Sequence, residues 1–368
     1  MADVSIYNLT KRFGSVVAVN NLSLDIQDGE FTVLLGPSGC GKTTTLRCVA
    51  GLEHQDSGDI IIDGKNVNTL SPSERDIAMV FQFPVLYPGL NVEGNLSFPL
   101  KQRKMSKNEI THRVKYFSEI LGIKNLLKKD VSKLNAGERQ LVALGRALVR
   151  DPKILLLDEA LTNLSTSLKL SMITQLKKLH KELSLTAMYV THDQYEAMLM
   201  ADKIGVMNKG ELLQYDIPTA VYNKPRDVFV ASFIGTPPMN LIDAVYDKNQ
   251  VQIRFNEKAV LDISKDYRLD LISENLSSEI ILGVRPEEIK LHKDCGQDNH
   301  MKGIIDTLEF TVEGSAIIDI TLEDNSLRSR LSEIKDYQIG DRTCVIFEKI
   351  YIFDRSTQKL IGEAFARY

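Results

Sequence analysis

The sequence predicts an α/β domain on a largely parallel sheet, followed by a smaller β-rich domain. Three observations predict it. Short continuous apolar runs at 31–35, 154–157 and 186–190 read as strands buried on both faces. Stretches at helical spacing separate them. After Gly235-Thr236-Pro237-Pro238 the style changes to short strands divided by turn residues.

Taken in order, segments 4–9 and 21–26 alternate apolar and polar residues, as half-buried strands do. Run 31–35 is followed by a glycine-rich loop and by 44–49, which can open a helix. Met79-Val80-Phe81 is another apolar strand end. Around 105–130, Ile110, Val114, Phe117, Ile120 and Leu121 recur at helical spacing. Asp151-Pro152 breaks the chain before strand 154–157; helix 168–183 and strand 186–190 follow. Strands alternating with helices give the α/β class. In the tail, 251–255, 280–284, 316–322 and 343–348 read as strands of a barrel-like domain.

Composition bounds the function. The 368 residues are 43% hydrophobic and 26% charged, an ordinary globular balance with length for two or three domains. A net charge of −4 favours no nucleic-acid partner. Cys40, Cys48, Cys295 and Cys344 form no CxxC pair and are expected to be reduced thiols. Residues 1–13 hold no apolar signal region, and no apolar run approaches the roughly 20 residues that span a bilayer. Any membrane role must come through a partner.

Gly36-Pro37-Ser38-Gly39-Cys40-Gly41-Lys42-Thr43 satisfies G-x-x-x-x-G-K-[ST]. Glycines let successive backbone N–H groups cradle phosphate oxygens, and the following helix, from Thr44 on, presents its positive end to the anion. Lys42 is placed for the β and γ phosphates, and the Thr43 hydroxyl for Mg²⁺. The alternative is a chance glycine-rich turn, which the preceding strand and following helix disfavour. Cys40 reads as a small loop filler rather than a redox sensor.

Strand 154–157 ends in Asp158-Glu159, where open α/β sheets bind ligands. Asp158 is expected to hold Mg²⁺ through water and Glu159 to act as general base on the attacking water. Alone, such an acid pair is more often a polar strand end; after a phosphate loop it is not. Gln82 is expected to report the γ-phosphate or Mg²⁺, and His192 to contact the γ-phosphate and orient water. A lone Gln or His is more often structural, so both depend on their strand-end positions.

These pieces, in this order, resemble the ATPase subunit of an ATP-binding cassette transporter. Leu134-Asn135-Ala136-Gly137-Glu138-Arg139-Gln140 resembles the family signature Leu-Ser-Gly-Gly-Gln. The resemblance covers the whole chain. It implies a phosphate-loop cassette over 1–235 with a helical subdomain at about 84–150, then an OB-like (TOBE) regulatory domain over 236–368. It implies ATP and Mg²⁺ as cofactors, with Thr43, Gln82 and Asp158 at the metal. Phe13 matches the aromatic that stacks on adenine, with Tyr7 as competitor. Residues 83–95 match the surface that receives the permease subunits. Two subunits would sandwich two ATP molecules, with Asn135, Ala136, Gly137 and Glu138 of one covering the nucleotide of the other. The remaining partners implied are an extracytoplasmic solute-binding protein, acting indirectly, and no nucleic acid. The location implied is peripheral, on the cytoplasmic face of the membrane. Segments 233–240 and 283–287 resemble the importers for oligosaccharides and glycerol phosphates. Polyamine and iron importers share most of the other motifs.

The sequence departs from the family pattern at Asn135, Ala136 and Glu138 of the signature, at Ala160 for Pro, and at Ser165 for Asp. These changes act on the opposite subunit's ATP. The expectation is pairing with a different ATPase subunit; the alternatives are a slow homodimer or a partly degenerate regulatory half. A ribosome-associated or DNA-repair cassette ATPase is disfavoured, since neither a second cassette nor a coiled-coil insertion is present.

Overall fold

A computed structural model describes residues 2–162, 164–247, 252–254, 260–272, 278–293, 301–311, 314–322, 325–332 and 337–367. The chain divides into two compact units, 1–219 and 220–368. The sequence-based boundary at 235 differs from this division by the segment 220–235.

In the first unit, β1 (Val4–Phe13) and β2 (Val16–Ile26) form a long hairpin. Strand β3 (Phe31–Leu35) is buried at every residue and leads through the phosphate loop into α1 (Lys42–Ala50). Next come β4 (Ser57–Ile62), β5 (Lys65–Asn66), β6 (Ile77–Val80), α2 (Val92–Gln102), α3 (Lys107–Ile120) and α4 (Ala136–Leu148). Strand β7 (Ile154–Asp158), α5 (Thr166–Leu183), β8 (Thr186–Thr191), α6 (Gln194–Met200), β9 (Lys203–Asn208) and β10 (Glu211–Asp216) complete the unit. The six-stranded sheet runs β10-β9-β3-β8-β7-β6, parallel except for β10 at its edge. Segments 4–9 and 21–26 do not join it. They belong to a separate antiparallel sheet, β2-β1-β4-β5. Ile6 and Leu24 of that sheet, Leu46 and Val49 of α1, and Ile154 and Met188 of the parallel sheet share one core. Burying each such side chain stabilises by about 1.5–3 kcal/mol before entropy is counted.

Helix α7 (Pro218–Asn223) spans the division between units, and α8 (Val228–Phe233) opens the second. The strands there are β11 (Asn240–Asp247), β12 (Gln252–Arg254), β13 (Val260–Asp262), β14 (Tyr267–Leu271) and β15 (Glu279–Val284), with the short α9 (Ile263–Asp266) before β14. They continue with β16 (Ile289–His292), β17 (Met301–Phe310), β18 (Ala316–Leu322), β19 (Asn325–Leu331), β20 (Arg342–Phe347), β21 (Lys349–Asp354) and β22 (Leu360–Ala366). One sheet runs β13-β12-β11-β15-β21-β22-β14 and the other β16-β20-β17-β18-β19, over a shared core that includes Leu282 and Ile320. The expected strand at 251–255 is observed over 252–254; its ends lie outside the described residues.

The buried Arg285 explains why 220–235 pack with this unit. Its guanidinium donates to the carbonyls of Tyr222 (2.8 Å), Ala231 (3.1 Å) and Ile234, and lies 4.1 Å from the centre of the Tyr222 ring. Gly235 turns beside it with φ +119°, and a Cβ there would stand 3.0 Å from Arg285 Nη1.

Among the described residues, no helix is long and apolar enough to cross a membrane. Cys40 and Cys48 are free and buried, as expected, whereas Cys344 is disulfide-bonded and departs from the expectation of reduced thiols.

Candidate nucleotide site

The site grows from the ends of parallel strands. Strand β3 delivers the phosphate loop, whose Ser38 and Gly39 are exposed while Gly36 and Cys40 are buried. Gly41 has φ +104°, and a Cβ there would stand 2.3 Å from the Ala18 carbonyl oxygen on β2. Only glycine fits this approach. It also brings the β1–β2 hairpin against the loop. The Lys42 ammonium donates to the carbonyls of Gly36 (2.8 Å) and Pro37 (2.9 Å). The Cys40 amide donates to the Pro37 carbonyl, and the Cys40 carbonyl accepts from Gly210 at 3.0 Å. Burial pushes the Cys40 thiol up, which disfavours the reactive thiolate and agrees with a filler role.

The Thr43 hydroxyl donates to Asp158 Oδ1 at 2.9 Å. Burial raises the Asp158 pKa against the lowering effect of that hydrogen bond. A neutral hydroxyl beside a carboxylate held in an unfavourable environment is a hard-oxygen donor set suited to Mg²⁺. Among the described residues no cluster of three His, Cys, Asp or Glu could hold a metal by itself. Phosphate and water oxygens would have to complete the shell, as is usual for Mg²⁺ with a nucleotide.

Glu159 lies one residue beyond β7 with φ +46°. Left-handed backbone at a non-glycine residue costs about 1–3 kcal/mol and is held here by surrounding contacts, including the Glu159 amide to the Val190 carbonyl at 3.0 Å. The turn brings the carboxylate to both neighbours. Gln82, past the end of β6, donates from Nε2 to Glu159 Oε2 at 3.1 Å. His192, past the end of β8, places Nδ1 3.5 Å from Glu159 Oε1. Three parallel strand ends thus bring Gln82, Glu159 and His192 together, beside Asp158 and the phosphate loop.

Phe13 lies outside that cluster, at the tip of the β1–β2 hairpin. It is half exposed and pairs with Val16, two residues before Ala18, whose carbonyl meets Gly41. The Lys11 ammonium lies 5.0 Å from its ring centre. Tyr7 is comparably exposed but pairs with Asp59 in the interior of the antiparallel sheet.

The signature segment makes no hydrogen bond or ion pair to the phosphate loop among the described residues. Asn135 caps α4, accepting from the Glu138 amide at 2.8 Å, while Glu138 Oε2 accepts from the Asn135 amide at 2.9 Å. This is a capping box. The Glu138 charge, expected to disturb a neighbouring phosphate, is met by Lys129 at 2.9 Å. The hydrogen bond from the Asn135 amide and then the Lys129 ammonium hold its carboxyl below the usual range. Asn163, in the loop after the acid pair, lies outside the described residues.

In the segment 83–95, Phe83 and Val85 are strongly exposed. Arg146 on α4 donates to the Val85 carbonyl at 2.7 Å and stacks 4.9 Å from the Tyr87 ring centre. It also lines an adjoining cavity of about 190 Å³ with Phe81, Pro84 and Arg150. Sequence reasoning missed Arg146, although it falls at helical spacing after the signature. It also missed Lys129, for which no local signal exists.

The chain matches the ABC transporter family over residues 19–162 and the MalK OB fold domain over 235–289. It is 40% identical to the trehalose/maltose import ATP-binding protein MalK of Thermococcus litoralis, over 98% of this chain and all of that one. It is 41% identical to an uncharacterized ABC transporter ATP-binding protein of Bacillus subtilis, over 98% and 100%. It is 47% identical to the osmoprotective compounds uptake ATP-binding protein of Synechocystis, over 78% of each chain. Among solved structures it is similar to a dimeric, post-hydrolysis ATP-binding cassette bound to ADP and Pi. There the TM-score is 0.54 and the identity 30%, over 58% of this chain and 98% of that one. A component of an ABC transporter complex from Clostridium perfringens gives a TM-score of 0.57 and 28% identity, over 60% and 90%.

Proposed function

The chain belongs to the ABC transporter family, and from that premise we propose how its residues power import and which solute is carried. It is the ATP-binding and hydrolysing subunit of an ABC importer, with relatives among sugar importers. It works with transmembrane permease components and dimerises as ABC cassettes do.

The observation that carries the catalytic reading is the meeting of Gln82 and His192 on separate oxygens of Glu159, beside Asp158. Lys42 and the backbone of Gly36, Pro37, Ser38, Gly39, Cys40 and Gly41 hold the phosphates; Thr43 and Thr44 continue that cradle into α1. Thr43 and Asp158, with Gln82, would hold Mg²⁺, which when bound offsets phosphate charge. Glu159 takes the proton of the attacking water, and His192 and Gln82 fix that carboxylate and the water's path. Phe13 stacks on the adenine. Asn135, Ala136, Gly137 and Glu138 face the partner's nucleotide. Residues 1–235 act as the cassette and 236–368 as a dimer-bracing regulatory domain.

The chain acts peripherally on the cytoplasmic face of the membrane, with the exposed apolar segment around Phe83 and Val85 receiving the permease. A solute-binding protein acts on the other side. The solute is a sugar, an oligosaccharide or a glycerol phosphate, supported by full-length identity to a trehalose/maltose importer ATPase. The Synechocystis relative supports a second reading, an osmoprotectant. Reconstituting the complex and measuring which solutes stimulate ATP hydrolysis tests the choice. Stimulation by polyamine or iron, with none by sugars, overturns it. Departures in the signature and at Ser165 support pairing with a second kind of ATPase subunit. Finding one ATPase polypeptide by mass in the purified complex would overturn that pairing.

A further inference from the structure

Lys169 lies in the first turn of α5, four residues after the Ser165 cap. Its ammonium stands 2.7 Å from Asp193 Oδ2 and 2.7 Å from Glu196 Oε1. Asp193 follows His192 in the chain, and Glu196 contacts Thr191 just before it. Asp193 caps α6, accepting from the amides of Tyr195 (2.9 Å) and Glu196 (3.2 Å), and its own amide donates to the Thr191 hydroxyl oxygen at 3.0 Å.

Glu196 is fully buried. Its Oε2 accepts from the Thr191 hydroxyl at 2.6 Å and from the Tyr189 hydroxyl. Its Oε1 has no hydrogen bond of regular geometry and is met by the Lys169 ammonium instead. Lys169 is the cation that compensates this buried charge. Asp193 directly, and Thr191 through Glu196, are therefore tied to one ammonium on a different helix. His192 between them is half exposed and turned toward Glu159.

We propose that Lys169 is a positioning residue for ATP hydrolysis: it locks the segment Thr191-His192-Asp193 to the start of α5 and so fixes His192 against Glu159. The physical ground is the buried carboxylate. Without Lys169, Glu196 is an uncompensated charge in the interior, a costly arrangement relieved by admitting water or shifting α6. His192 shifts with either change. The phosphate loop is attached to β3 and α1, so ATP binding does not depend on this link. Arginine keeps the charge and reaches two carboxylates at once. Methionine keeps a stem of similar length and removes the charge.

The inference rests on His192 acting in hydrolysis, so Lys169→Met, Lys169→Arg and His192→Ala are assayed side by side in the assembled transporter. Lys169→Met is expected to lower kcat about 10–100-fold, the scale of a misplacement near 1 Å, with KM for ATP unchanged to within about twofold. Lys169→Arg is expected to recover most of the loss. A Lys169→Met kcat equal to wild type beside an inactive His192→Ala overturns the proposal and leaves the role of His192 standing. Equal loss of kcat and ATP affinity, or no recovery with arginine, also overturns it. Full turnover by His192→Ala removes the role of His192 itself. Should Lys169→Met not fold, Asp193→Asn keeps the helix cap and cuts one arm of the link. A severalfold kcat loss at constant KM then supports the proposal, and a wild-type kcat overturns it.

Discussion

Gln82 donates its side-chain amide to Glu159 across the ends of adjacent parallel strands, at 3.1 Å. The contact takes one carboxylate oxygen and leaves the other to His192. A carboxylate contacted on both oxygens is held in one orientation.

Glu159→Gln keeps the shape and both neighbours but removes the basic oxygen. We expect kcat of the assembled transporter to fall about 10²–10⁴-fold, the usual contribution of a general base, with ATP binding retained. Single-turnover hydrolysis and nucleotide binding on the same sample separate the two effects. Unchanged turnover would mean that Glu159 is not the base or that a partner subunit supplies the activity.

Asp158 has the opposite relation to pH from most native carboxylates. Burial raises its folded-state pKa, and the Thr43 hydrogen bond only partly opposes this. The fold therefore binds this proton more tightly than the unfolded chain does. Its contribution to stability is complete below the unfolded value, about 3.9, and is lost as pH rises through the folded value. Asn mimics the protonated form. Without nucleotide or Mg²⁺, Asp158→Asn should melt above wild type at pH 7, and the gap should close on acidification. ATP hydrolysis should be lost in the same variant. A lower melting temperature at pH 7 would refute the burial account.

Phe13 and Tyr7 are the two candidates for the proposed adenine stack, and the backbone favours Phe13. The hairpin tip that carries it is pressed on the phosphate loop through the Ala18 carbonyl and Gly41. Phe13→Ala should weaken ATP binding by about 1–3 kcal/mol, the range for loss of a base–aromatic stack, while Tyr7→Ala should leave it unchanged. Titration of a fluorescent ATP analogue reads both. The reverse ranking would reassign the stack to Tyr7.

Legibility followed the reach of each interaction along the chain. The run 31–35, the phosphate loop and the acids at 158–159 were readable because their pattern is local, and the structure places them together at β3, α1 and β7. The strand expected at 4–9 extends to Phe13, because register shifts after Ile6, Leu9 and Lys11 break the alternation that marks a strand. Its antiparallel sheet was unreadable, since no local pattern says that β1 pairs with β4 some fifty residues on. The partners of Lys129, Lys169 and Arg285 are unreadable for a similar reason. A lysine or arginine in a loop, past a strand end or on a helix looks like a solvated charge until the fold brings its partners. The conformation of Glu159, φ +46°, has no signature in a strand ending Leu-Leu-Leu-Asp-Glu.

The signature departures admit a last test, because the capping box separates their structural and electrostatic parts. Glu138 serves twice: it closes the box with Asn135 and pairs with Lys129. Glutamine at 138 can still close the box, since its carbonyl oxygen accepts the Asn135 amide. It only gives up the charge, whose pair with Lys129 is partly exposed and worth at most about 1 kcal/mol. Glu138→Gln should therefore stay close to wild type in stability. Its ATPase activity in the assembled transporter should change by less than about threefold, because Lys129 already offsets the charge. Asn135→Ala removes the cap and should cost about 1 kcal/mol by denaturant titration. A tenfold rise in turnover for Glu138→Gln would show the opposite: the carboxylate would be acting on the partner's nucleotide in spite of Lys129, and the signature would be weakened by charge rather than by the Cβ of Ala136.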